Sequence, residues 1–196
     1  MKIKQFISIM FIILLMLIAS GCSFSLSKTD KSLESAIGKE LDKGNGKIQS
    51  EALNSLNNLA ADDAKIEDIK LLEDATNLKS LSLNNNNISD ISSLEDLTKL
   101  EALNLNGNKI SDISALAKLT NLKILIRGNN LLGDISALLS LTNLEILGLN
   151  NNQIISVTPL SGLIKLQTLS LENNELTDIK DLGSSTSLKT VGLDNN

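Results

Sequence analysis

Residues 77–98, 99–120, 121–142, 143–164 and 165–186 align without a gap as five copies of one 22-residue unit, and this period constrains the fold more than any other feature of the chain. The second position of each unit is Leu78, Leu100, Leu122, Leu144 or Leu166, and the fifth is Leu81, Leu103, Leu125, Leu147 or Leu169. The tenth is always Asn: Asn86, Asn108, Asn130, Asn152 and Asn174. The fifteenth holds Ile91, Ile113, Ile135, Val157 and Ile179, and the eighteenth Leu94, Leu116, Leu138, Leu160 and Leu182. A degenerate unit precedes them at 55–76, keeping Leu56, Leu59, Ile66, Asp68, Ile69 and Leu72 but placing Ala64 in the Asn column. A shortened unit follows at 187–196, with Leu188, Val191, Leu193 and Asn196 in register.

The Leu-x-Leu alternation in each unit predicts a short strand of period two with its apolar side inward. The Asn in the tenth column is expected to turn the chain there, its short amide satisfying backbone groups where the strand ends. One unit buries too few side chains to offset the ordering of its own backbone, so only stacking on identical neighbours makes a stable core. That core must be aliphatic, because there is no Trp or Tyr and all three Phe lie in the first 24 residues.

The run Leu-x-x-Leu-x-Leu-x-x-Asn-x-Ile-x-Asp-Ile resembles the leucine-rich repeat family in the 22-residue form of its internalin subgroup, over 55–196. The resemblance implies an α/β solenoid with a parallel β-sheet on the concave face, an irregular or 3-10 convex side, and a short helical N-terminal cap at 30–54. The residues of that segment fit such a cap. Asp30 can cap a helix whose apolar face is Leu33, Ala36, Ile37 and Leu41, Gly44-Asn45-Gly46 stops it, and Ser50 can cap a second short helix through Leu53. A free amphipathic helix lying on a membrane is the competing reading of the same stripe.

Ahead of the cap, Lys2 and Lys4 are followed by an apolar run from Phe6 to Ile18 broken only by Ser8, and then by the small residues Ala19, Ser20 and Gly21 before Cys22. This is the order of a secretory signal peptide at 1–21, and its apolar run is shorter than the roughly 20 residues that span a bilayer. The segment Ala19-Ser20-Gly21-Cys22 resembles the lipobox of bacterial lipoproteins, with Ala19 where Leu is more usual. The resemblance implies a diacylglyceryl group on the Cys22 thiol and cleavage that leaves Cys22 as the first residue. Residues 22–29 then form the lipidated Cys and a tether, and no other cofactor is expected. An uncleaved anchor helix with an incidental Cys is the alternative. No motif for covalent wall attachment is present, so Cys22 is the expected anchor.

Composition removes several classes of function. A single Cys makes no internal disulfide or thiolate metal cluster, and the absence of His removes His-dependent catalysis and His metal sites. The net charge of −5 and the scarcity of aromatics do not suit nucleic acid. Gly44-Asn45-Gly46-Lys47 lacks phosphate-loop spacing, and the carboxylates fall on repeat positions, so no enzyme and no metal site are expected. Asp68, Asp90, Asp112, Asp134 and Asp178 occupy the fourteenth column, interrupted by Ser156. They read as caps for the turn that follows, against the alternative of a cation ladder.

The outward strand positions (columns four, six and eight) make the expected binding face. They are small and polar except in the middle units, where Ile124, Ile126 and Ile146 form an apolar patch beside Gly148. Arg127 joins them as a candidate, although it stands in the seventh column, where its equivalents are Leu83, Leu105, Leu149 and Leu171. A buried guanidinium is costly, so Arg127 is expected to reach outward, find a carboxylate or distort its strand. The last unit stops at Asn196 without a polar cap, an open edge that fits either dimerisation or a truncated reading frame. The chain thus reads as a lipid-anchored extracytoplasmic module that binds a protein through its repeat surface, in the manner of an adhesin. The alternative is an envelope scaffold binding a protein or wall polymer of the same cell.

Overall fold

The computed structural model describes residues 30–42 and 48–196. The signal segment, Cys22, the tether and Gly44-Asn45-Gly46 lie outside the described residues. Helix α1 (Lys31–Glu40) begins at Asp30, whose Oδ1 accepts from the backbone N–H of Ser32 at 2.9 Å and of Leu33 at 3.2 Å. Its Leu33 and Ile37 are buried against the first coil, and Asp30 Oδ2 accepts from the Glu67 N–H at 2.9 Å, tying the cap to the repeats. Helix α2 (Ser50–Leu53) differs from expectation at its start. Gln49 holds the cap position with no side-chain bond, and Ser50 lies inside the helix. The Ser50 hydroxyl instead donates to Asp74 Oδ2 at 2.7 Å, a charge-assisted bond stronger than a neutral cap.

Seven three-residue strands follow: β1 (Asn58–Ala60), β2 (Ser80–Ser82), β3 (Ala102–Asn104), β4 (Ile124–Ile126), β5 (Ile146–Gly148), β6 (Thr168–Ser170) and β7 (Thr190–Gly192). They pair in sequence order as one parallel sheet, each residue facing its equivalent 22 positions on, as in Leu103 with Leu125 and Leu125 with Leu147. The opposite side of each coil is a 3-10 segment of three to five residues, such as Ser114–Lys118. The Asp column starts these segments: Oδ1 of Asp68, Asp90, Asp112, Asp134 and Asp178 accepts from the N–H two residues on, at 2.7–2.8 Å. Between sheet and 3-10 side runs a continuous aliphatic core in which nearly every Leu and Ile column is buried, from Leu33 to Leu171.

The turn after each strand is made by the ninth column, not the tenth. Asp63, Asn85, Gly107, Asn129, Asn151, Asn173 and Asn195 all have φ between 52° and 67°. Asn and Asp tolerate this left-handed geometry because a short polar side chain can bond locally. The tenth column is turned inward and bridges coils. Asn130 is buried; its Oδ1 accepts from the Ile110 N–H at 3.0 Å, and its Nδ2 donates to the Leu105 and Gly128 carbonyls, both at 3.0 Å. The same pattern recurs at Asn86, Asn108, Asn152, Asn174 and Asn196, with the degenerate coil receiving its bonds at the Ala64 and Ile66 N–H groups.

Asn130→Ala strands buried donors and acceptors on two coils at about 1–3 kcal/mol for each group left unsatisfied. The expected result is a loss on the order of 3 kcal/mol of stability, read as a lower denaturant midpoint, while a midpoint within experimental error of wild type would contradict the bridging role.

Candidate concave binding face

The parallel sheet sends columns five and seven into the core and columns four, six and eight to the concave face. Small polar residues cover most of that face: Ser80, Ser82, Asn104, Thr168 and Ser170 are all half-buried. In the middle, Ile124 and Ile126 are half-buried and Ile146, directly opposite Ile124, is 37% exposed. Gly148 lies opposite Ile126 and is buried beneath it; a Cβ there would stand 3.4 Å from Ile126 Cγ2. The structure thus brings the three isoleucines together on the face and puts Gly148 under them as the space into which Ile126 leans. Gly128 plays a related part: a Cβ would meet Asn150 Oδ1 at 2.5 Å and Asn106 Oδ1 at 2.8 Å, so the two amides close over it.

Arg127 is not on this face. It is 0% exposed, in the core register of Leu105 and Leu149, and its Nε, Nη1 and Nη2 have no hydrogen-bond partner. The strand neither slips nor bends: Arg127 N–H donates to the Gly148 carbonyl at 2.8 Å as its neighbours do in their own coils. The reach outward expected from the cost of burial does not occur: Leu122, Leu125 and Asn130, all buried in their own columns, hold the coil in register, and the register points Arg127 inward. Burial lowers the guanidinium pKa to about 9, against a smaller opposing pull from the Asp112 carboxylate. Asp112 is itself held below the usual carboxylate range, first by hydrogen bonds from Ser114 and then by Arg127. A residue of this kind is a strained core position beneath the binding face.

The sequence reading missed a second feature of the same two coils. Leu131, Leu139, Ile155 and Ile164 are exposed, at up to 72%, around the flank and back of the rod. Each replaces a residue that is polar in most other units: Leu131 stands in the column of Asn87 and Lys109, and Ile164 in that of Thr98 and Thr120. The signal lay in the departures from the repeat. With Ile146 they place within residues 121–164 five of the seven exposed large aliphatics among the described residues. The charged ladder at the leading edge of the strands, where Lys123 Nζ meets Glu101 Oε2 at 2.6 Å, is open to solvent and contributes little. That contact holds the Glu101 carboxyl low and the Lys123 amine high.

Elsewhere, a shallow groove of about 440 Å³ on the convex side is lined by Glu67, Asp68, Glu73, Asp90, Glu95 and Asp96 among others. Among the described residues no group of three or more His, Cys, Asp or Glu could hold a metal ion, and no helix is long and apolar enough to cross a membrane.

The family model described as Leucine Rich repeats (2 copies) matches residues 76–118, 98–140 and 142–184. The crystal structure of an internalin (inlF) from Listeria monocytogenes is similar at 35% identity and a TM-score of 0.71, over 83% of this chain and 55% of that one. The chain therefore spans little more than half the length of that protein. An internalin C2 (inlC2) from the same species aligns at 24% identity and a TM-score of 0.49, over 84% of this chain and 93% of that one. No curated protein matches the chain in sequence.

Arg127→Leu restores the column and is expected to raise Tm by several degrees, since an unsatisfied buried donor costs about 1–3 kcal/mol and a charged one more. The gain depends on pH with a definite sign. The folded pKa is depressed, so between about 9 and the ordinary arginine value the unfolded chain binds the extra proton and rising pH relieves the wild type. The Tm gap between variant and wild type should be constant below pH 9 and narrow above it; no gap at neutral pH would mean that the guanidinium is satisfied.

Proposed function

The chain belongs to the leucine-rich repeat family, and from that premise we propose that it is a lipid-anchored, extracytoplasmic binding protein that captures a protein partner on the concave face of its middle coils. The leucine-rich repeat fold is an interaction scaffold and not an enzyme family, and a rigid sheet of parallel strands offers a broad surface to a macromolecule more readily than a pocket to a small substrate. The observation that carries the reading is the cluster of Ile124, Ile126 and Ile146 on a face that is otherwise small and polar. Aliphatic side chains open to solvent at the centre of a polar face are the usual mark of an interaction site. Nothing in the scaffold requires them, since Ser80, Ala102 and Thr168 hold the equivalent of Ile124 in other coils.

Anchoring rests on the lipobox-like Ala19-Ser20-Gly21-Cys22. Two acyl chains on Cys22, at about 0.8 kcal/mol per buried methylene, hold a protein on a bilayer durably where one chain is marginal. The internalin likeness supports an adhesin-like role at the cell surface, with the same-cell envelope scaffold as the other outcome of the test.

Cys22→Ser is expected to abolish incorporation of an alkyne fatty acid and to remove the diacylglyceryl mass from the N-terminal peptide; labelling that persists would defeat the lipoprotein reading. For the binding face, the full chain on beads is exposed to host cells and to the envelope fraction of the producing cell. Capture from the first supports the adhesin role and capture from the second alone supports the scaffold. Ile124→Ser with Ile146→Ser should weaken either by at least tenfold without lowering Tm, and undiminished capture would place the site elsewhere.

A further inference from the structure

The concave face is selective in charge as well as in polarity. Across columns four, six and eight of all seven coils there is no Lys or Arg, while Asp62, Glu172 and Asp194 stand in column eight. Two side-chain atoms on that face are buried without a hydrogen-bond partner, Asn84 Oδ1 and Glu172 Oε2, and both are acceptors. Asp62 already accepts from the Ser82 hydroxyl at 2.8 Å and the Asn84 N–H at 2.7 Å. Glu172 is placed differently. Its carboxylate lies flat over Gly192 in the next coil, where a Cβ would collide with Oε1. That oxygen is closed to solvent as it lies, so the carboxylate meets an outside donor by turning away from Gly192, and a cationic donor then makes the strongest bond with it.

Resting on the reading that the middle coils are the binding face, we propose that its partner is an extended segment carrying aliphatic side chains and, four residues away on the same face, a Lys or Arg that pairs with Glu172. The spacing follows from the sheet. With strands about 4.8 Å apart and about 3.3 Å per residue, Glu172 stands roughly 12 Å from Ile126 and roughly 14 Å from Ile146. An extended peptide covers that distance in about four residues, and positions i, i+2 and i+4 of such a peptide point to one side. An aliphatic group at i then meets Ile124 and Ile146, and one at i+2 lies over Gly148 beside Ile126, while a basic side chain at i+4 reaches the carboxylate. An acidic segment is repelled by the same arrangement, so the face discriminates by charge.

The test is fluorescence anisotropy with the full chain and labelled decapeptides built on Leu-x-Leu-x-Lys, with counterparts carrying Glu for Lys or Ser for both Leu. The Lys peptide should bind saturably and the other two should not. Its affinity should fall about tenfold on Glu172→Gln, as expected for one charge-assisted bond, and fall further with added salt. Equal binding of the Lys and Glu peptides, or an unchanged affinity for Glu172→Gln, overturns the charge selection; if Ile124→Ser with Ile146→Ser still abolishes binding, the concave-face reading survives that result. Binding that persists in the isoleucine variant, with its Tm unchanged, overturns both. Failure of the Lys peptide to bind at all overturns the inference while leaving the capture of cells or envelope as the separate measure of the face.

Discussion

Each coil of this protein is unstable alone, and the buried asparagine that bridges it to the coil before is the interaction on which the rest of the structure depends. Asn108, Asn130, Asn152 and Asn174 each tie a backbone N–H twenty residues back to carbonyls in two coils. A turn inside an aliphatic core would otherwise leave backbone donors and acceptors unpaired at a cost no leucine can offset. With the amide in place the strand can end, the chain can reverse under the sheet, and the Leu and Ile columns can close over one another without polar gaps. The left-handed ninth column and the Asp-started 3-10 segment complete the coil by directing the chain into and out of that buried bridge.

Because the scaffold is secured from inside, its outer positions vary freely, and the variation is concentrated. The two central coils hold the isoleucine patch, most of the exposed large aliphatics among the described residues and the buried Arg127. An unpaired guanidinium at the level where the surface is most apolar puts an unsatisfied charge inside the middle of the rod. In a solenoid, stability is close to a sum over neighbouring coils, so one such defect is carried by the intact layers on either side without loss of the fold.

The repeat architecture was legible because the signal was redundant: the same column is tested five times, and Leu81, Leu103, Leu125, Leu147 and Leu169 could only be one strand position facing one core. The capping role of the Asp column was legible for the same reason, each Asp preceding an equivalent turn. The concave isoleucines could be named from the alternation alone. What the pattern did not show was singular. Ser50 donates to Asp74 because the first coil brings a carboxylate to it, and nothing local distinguishes that from a cap.

Sequence by itself determined the period, the strand register, the inward or outward facing of the repeat columns and the aliphatic character of the core, since each follows from spacing and from the need to bury apolar surface. Only the tertiary structure decided which of two adjacent asparagines turns the chain and which bridges it, because that choice depends on where the neighbouring coil presents its carbonyls. It also decided the state of Arg127, which the surrounding register encloses despite the cost of its charge, and the placing of the Glu172 carboxylate over Gly192. These are contacts between coils, 22 residues apart in the chain and one strand apart in space, and no single unit contains them.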